Sequence, residues 1–204
     1  MINIIELQKM KQFSKRKSSI GQLQLIPGIW INGKYFWLQN QMEKVIYEEG
    51  LIIKIKQKPI HSKIHYYRVF VSNHSNQAKD VKILAMHHFQ NVNQDSLAFV
   101  SPTEQRIFHH SEEKVFLVNL KHNESEVKEY TTMPLWNAYT DQIWSSLDNG
   151  TLRYQPMAKG PAASILAENI TVYPQKTETL SSWAIIGKNK REVLAIEQAL
   201  LKIH

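Results

Sequence analysis

Nine histidines stand in 204 residues, four of them as adjacent pairs, His87-His88 and His109-His110. Histidine titrates nearest neutral pH and is the commonest nitrogen ligand for metals, so proton transfer and metal binding are the first chemistries to weigh. Both need rings that converge. On a strand, neighbouring side chains point to opposite faces, so neither pair brings two rings to one ion without a bulge. His87 continues the face of Val81, Ile83 and Ala85, whereas His88 continues that of Leu84 and Met86. A zinc site takes three or four ligands from separate elements, and no H-E-x-x-H or comparable spacing is present. The expectation is no metal and no cofactor, with one satisfied, half-buried histidine and one surface histidine in each pair.

Other catalytic patterns are missing as well. There is no G-x-S-x-G elbow, and the seven glycines form neither a P-loop nor a G-x-G-x-x-G. The carboxylate pairs Glu48-Glu49 and Glu112-Glu113 adjoin Gly50 and Ser111, where solvation is more natural than pairing across a cleft. The aromatics say more. Trp136, Tyr139 and Trp144 share a stretch with Asn137, Asp141 and Gln142. Flat aromatic faces beside amides and carboxylates suit a sugar ring, which offers apolar C–H faces and directed hydroxyls. Trp136, Asn137, Asp141 and Trp144, with His87 and His88, form the candidate ligand-binding set. The plainer role for both indoles is to plug the edge of the fold.

Charge offers a second surface. Lys and Arg number 25 against 18 Asp and Glu, a net +7 and a pI near 9.4. Much of the excess lies in Lys9, Lys11, Lys15, Arg16 and Lys17. A basic arm over residues 1–19 can meet phosphates on nucleic acid or an anionic membrane surface, or serve only solubility. Its apolar residues precede the basic cluster, unlike a secretory signal. No apolar run reaches membrane-spanning length. With no cysteine, disulfide scaffolds, thiolate metal sites and cysteine catalysis are excluded. The expected address is cytoplasmic, and the Asn-x-Ser/Thr triplets at Asn73, Asn123 and Asn169 then carry no glycan meaning.

The elements that must position these residues read mostly as strands. Asn32-Gly33 between two β-rich runs supplies the positive φ angles of a two-residue hairpin turn. Leu51, Ile53 and Ile55 alternate with Ile52, Lys54 and Lys56. Residues 64–72 and 81–89 are further strands, and the polar stretch between them predicts a meander hairpin. Residues 115–120, 164–172 and 179–186 continue the pattern, which points to an antiparallel β-sandwich. Helical turns are expected within 135–147. At the C-terminus Asn189 precedes Glu192 at capping-box spacing, and Val193, Ile196, Leu200 and Ile203 follow at 3-4-3 intervals. This predicts an amphipathic helix over 190–203 packed on the sandwich edge. No linker interrupts residues 20–204, so one domain is expected.

The run from Glu168 to Gly187, with its turn at Pro174-Gln175-Lys176 and a capped helix after it, resembles the closing strands of a known β-sandwich domain. That domain belongs to glucoamylase-like hydrolases and disaccharide phosphorylases, whose turn is of Pro-Gly-Glu type. Val69-Phe70-Val71-Ser72-Asn73 and Val81-Lys82-Ile83-Leu84-Ala85 resemble a hairpin of the same domain. In those enzymes the catalytic carboxylates lie mainly in a helical barrel that follows the sandwich. The resemblance therefore implies a binding or interaction module whose partner is a carbohydrate or another protein. The alternatives are a sugar-modifying enzyme of the mutarotase kind, using His and Glu in a sheet groove, and an anion-binding arm at residues 9–17.

Overall fold

A computed structural model of the chain describes residues 23–90, 96–123, 125–127 and 129–202. The expected basic arm and Ile203 lie outside these residues. In chain order the first strands are β1 (Leu23–Ile31), β2 (Lys34–Trp37), β3 (Glu43–Ile46), β4 (Leu51–His61), β5 (Ile64–Asn73) and β6 (Lys79–Phe89). Next come β7 (Leu97–Ser101), β8 (Arg106–Ser111), β9 (Lys114–His122), β10 (Ser125–Glu126) and β11 (Glu129–Pro134). The series closes with β12 (Trp144–Ser146), β13 (Thr151–Leu152), β14 (Met157–Lys159), β15 (Ala162–Val172) and β16 (Thr177–Gly187), then helix α1 (Lys190–Leu201).

The strands form two large antiparallel sheets. The smaller has the order β11-β15-β6-β1-β2, and the larger runs β14-β7-β8-β9-β16-β5-β4-β3, with β10 beside β9. Alternation along each strand sends one set of apolar residues inward, so Ile29, Ile53, Val71, Ile83, Phe116, Leu166 and Leu180 meet between the sheets. The fold is mainly β, as the strand spacing predicts. The β1–β2 hairpin turns at Asn32 and Gly33 with φ of 50° and 75°, pairing Ile31 with Lys34.

The predicted meander between residues 64–72 and 81–89 is not formed. β5 belongs to the large sheet and β6 to the small one, so the polar stretch between them is a crossover. Buried Asn73 holds it. The amide Nδ2 of Asn73 donates to the carbonyls of Gln77 and Val172, both at 2.8 Å, while Oδ1 accepts from Ser75 N–H at 2.9 Å. The backbone N–H of Asn73 donates to Lys176 O at 2.9 Å, tying this crossover to the one between β15 and β16. A polar connection reads alike in sequence whether it turns back or crosses over.

Each sheet is covered on its outer face. α1 lies across the outer face of the large sheet rather than along the edge, because its stripe meets outward apolar residues of several strands. Val193 and Leu200 pack on Phe108, Leu117, Trp183 and Ile185, with Ile196, Leu194 and Leu201 at the margin. Asn189 caps the helix by accepting Glu192 N–H at 3.0 Å. The Glu192 carboxylate reaches back to Lys188 N–H at 2.8 Å, one residue before the cap. Under the helix, buried Glu197 accepts from Asn119 Nδ2 at 2.8 Å, Trp183 Nε1 at 3.1 Å and Arg106 Nε at 3.1 Å.

Candidate functional site

The stretch expected to carry helical turns forms an irregular lid over the outer face of the small sheet. It contains two short 3₁₀ turns, Leu135–Asn137 and Asp141–Ile143. Thr140 joins them: its hydroxyl donates to Asn137 O at 2.9 Å and caps the second turn by accepting Gln142 N–H at 3.3 Å. β12 then pairs with β13 to close the lid. Ala138, Ile143, Trp144 and Leu152 point down onto Ile26, Leu84, Met86 and Ile165. These contacts anchor the lid as a second apolar layer.

The lid divides the two indoles. Trp144 is 3% exposed and Trp136 is 65% exposed. Trp144 lies under the lid against Trp30 and Tyr35, at ring-centroid distances of 6.5 and 5.6 Å. Asn137 shares the turn of Trp136, half-buried beside it. Exposed Asp141 accepts the Tyr35 hydroxyl at 3.1 Å. Burial, and secondarily the Asp141 carboxylate, push the Tyr35 phenol up to about 12, so it stays a donor.

His88 supports the same ledge from below. Its Nδ1 lies 2.9 Å from Phe89 O, and a carbonyl only accepts, so Nδ1 carries a proton. In the neutral ring Nε2 is then an acceptor, and the Tyr139 hydroxyl donates to it at 3.1 Å. Burial raises the Tyr139 pKa, which keeps that donor protonated. Trp136, Asn137, Tyr139, Asp141 and Tyr35 thus belong to one ledge, with His88 and Trp144 beneath. Tyr35 was not among the candidate residues. Its signal was the alternation after the Asn-Gly turn, which sets Tyr35 and Trp37 on the same outer face.

His87 is elsewhere. It points between the sheets, is fully buried, and neither ring nitrogen has a hydrogen-bond partner among the described residues. Burial pushes its pKa well below the usual histidine value, and the His109 and His88 rings add to the shift. His109 is also buried, its Nε2 2.7 Å from Ser164 Oγ, and burial pushes its pKa down to about 3. Ser164 and His109 are close enough for a nucleophile–base pair, but both are sealed in the interior. Exposed His110 is the surface member of its pair, but His109 is fully buried rather than half-buried, and its Nδ1 has no hydrogen-bond partner among the described residues. The 87–88 pair departs from the expectation of one surface ring, with both rings buried, because the lid covers the outer face over His88.

Among the described residues no three His, Asp or Glu side chains are grouped to hold a metal, and no helix is long and apolar enough to cross a membrane. A cleft of about 310 Å³ opens between the sheets, its wall including Gln24, Gln57, His65 and Tyr67. None of the six sequence-chosen ligand residues lines it. Lys9, Lys11, Lys15, Arg16 and Lys17 lie outside the described residues.

No protein-family model matches the chain, and no curated protein matches it by sequence. Among solved structures, the chain is similar over 85% of its length to a family GH92 inverting mannosidase from Bacteroides thetaiotaomicron, at 15% identity and a TM-score of 0.45. It is similar over 90% to a polysaccharide lyase, at 8% identity and a TM-score of 0.46. A third similar structure is a putative kojibiose phosphorylase from the human microbiome, with 81% of the chain covered, 14% identity and a TM-score of 0.35. The closing strands were expected to resemble the β-sandwich domain of glucoamylase-like hydrolases and disaccharide phosphorylases, and the likeness to these structures is one of β-sandwich fold. The chain spans 22%, 28% and 19% of these three proteins respectively.

Proposed function

We propose that this chain is a non-catalytic binding module that takes a carbohydrate on the ledge around Trp136. In this reading residues 20–204 are one unit and residues 1–19 a basic arm. One observation carries it. The lid folds Trp144, Ile143 and Ala138 inward yet holds Trp136 65% exposed, within the same structured turn as Asn137. An indole held open to water on an anchored turn is a ready stacking face, and Asn137, Tyr139 and Asp141 are near in the lid to meet hydroxyl groups. The mutarotase alternative asks for His and Glu converging in an open groove. His87 and His109 instead lie inside the sandwich, which favours binding over turnover.

The test is tryptophan fluorescence during titration with neutral cello-, malto-, manno- and xylo-oligosaccharides. One series shifts or quenches the emission, and Trp136→Ala abolishes the response while leaving the thermal midpoint unchanged. Silence across all four series, or an unaltered response in Trp136→Ala, overturns the reading. Trp144→Ala is unsuitable as a binding probe because that indole holds the lid down.

A further inference from the structure

α1 covers the outer face of the large sheet over β8, β9, β16 and the first residues of β5. Beyond it, the outward residues in the middle of β4 are basic. Exposed Lys54, Lys56 and Lys58 follow one another at roughly 7 Å, two strand residues apart. Register sets Lys56 directly opposite Arg68 of β5, with Ser181 of β16 next across the sheet and Lys121 of β9 after it. Like charges facing each other across an antiparallel pair destabilise a sheet. Lys54 meets Glu43. Lys56, Lys58 and Arg68 meet no carboxylate among the described residues, and Lys56 and Arg68 instead approach the Phe70 ring, at 5.7 and 5.3 Å from its centroid.

Hydroxyls adjoin the cations. Ser72 and Thr177 lie side by side at 2.8 Å, and Thr179 and Ser181 continue the line along β16. It ends in a pocket of about 180 Å³ at the last turn of α1, with Thr179, Ser181 and Asn123 in its wall. We infer that this face binds an acidic polysaccharide, its carboxylates or sulfates relieving the Lys56–Arg68 repulsion and its hydroxyls meeting Ser181, Thr179 and Asn123. Single-stranded nucleic acid is the poorer fit, since it takes open aromatic faces for base stacking. Here Phe70 already carries two cations, and Tyr66 and Trp183 are buried. An anionic bilayer is also poorer, because the strip lacks the broad apolar face that enters an interface. The inference is independent of the Trp136 ledge, which lies on the outer side of the other sheet.

The full chain is titrated with polygalacturonate and dextran sulfate, and in parallel with neutral dextran, single-stranded oligo(dT) and phosphatidylglycerol vesicles. Expected is binding to an acidic polysaccharide that weakens at least about tenfold between roughly 50 and 200 mM salt. K56Q/R68Q weakens it about tenfold further, and raises the thermal midpoint of the free protein by removing the repulsion. A second full-length variant, K9Q/K11Q/K15Q/R16Q/K17Q, keeps most of the affinity. The inference is overturned by undiminished binding in K56Q/R68Q or loss of binding in the arm variant. Tighter binding to oligo(dT) or vesicles than to either acidic polysaccharide overturns it too, as does binding to neither.

Discussion

The two outer faces of this sandwich are covered in different ways. Over the large sheet the cover is α1, which satisfies its backbone internally and needs only an apolar stripe and a cap. Over the small sheet the cover is an irregular lid, whose backbone must find partners in the sheet below. Trp30 Nε1 accordingly donates to Leu147 O at 2.8 Å, and Glu129 accepts Leu152 N–H at 2.6 Å. Buried Lys82 bridges Glu129 and the carbonyl of Gly150. The polar specialisation differs accordingly. The helix brings one buried carboxylate, Glu197, to three donors, while the lid draws many single bonds from the sheet and leaves Trp136 in solvent.

This contrast can be broken by mutation, most severely at Glu197. Glu197→Ala leaves the buried Trp183 and Asn119 donors, and the Nε of half-buried Arg106, without this acceptor, at an expected cost of about 3–5 kcal/mol in denaturant unfolding. A loss near zero would mean that the helix is held by its apolar stripe alone. Trp144→Ala is expected to cost about 3–5 kcal/mol as well, whereas Trp136→Ala should stay within about 0.5 kcal/mol. Equal costs for the two indoles would erase the division between anchor and ledge.

Between the two covers, His87 and His109 make the interior sensitive to acid. Both bind protons more readily unfolded than folded, because burial holds their native pKa values down. Their contribution is therefore fully present above the unfolded value of 6.5 and declines below it, for His109 towards about 3. The slope is about 1.4 kcal/mol per pH unit for each ring. Unfolding free energies between pH 7 and 5 check this, and His109→Gln should flatten the slope; an unchanged slope would remove His109 from the account. A modest effect is expected at the helix cap, where Asn189→Ala should cost about 1 kcal/mol. If that change also alters the emission of Trp136, the two covers are coupled rather than independent.

Much of the fold was legible because its signals are local. Asn32-Gly33 dictates its turn, the alternation of Leu51, Ile53 and Ile55 dictates a face, and Asn189 with Glu192 marks a helix start. Sheet membership was not legible. Residues 64–72 and 81–89 look like partners, yet Asn73 sends them to different sheets through bonds with Gln77 and Val172. The ledge was half legible. Residue type brought Trp136, Asn137, Asp141 and His88 together, but types alone could not tell the exposed indole from the buried one. That depends on Ile143 and Leu152 drawing the lid down. Glu197 was missed because a carboxylate amid a helical stripe reads as solvated surface. The basic strip on β4 shows in the sequence only as alternate residues of a strand, since its opposition to Arg68 is a matter of register.

The crossovers also decide how long the chain stays unfinished while it is made. β6 is buried on both faces from Val81 to Phe89, and its two neighbours are β1, made before it, and β15, completed only at Val172. At roughly 5–20 residues per second, a ribosome takes on the order of ten seconds to travel from Phe89 to Val172. Throughout that interval a nascent chain holds an adhesive strand with one edge unpaired, a template for the wrong neighbour. The order in which its strands are made therefore sets a folding hazard that the stability of the finished sandwich does not describe.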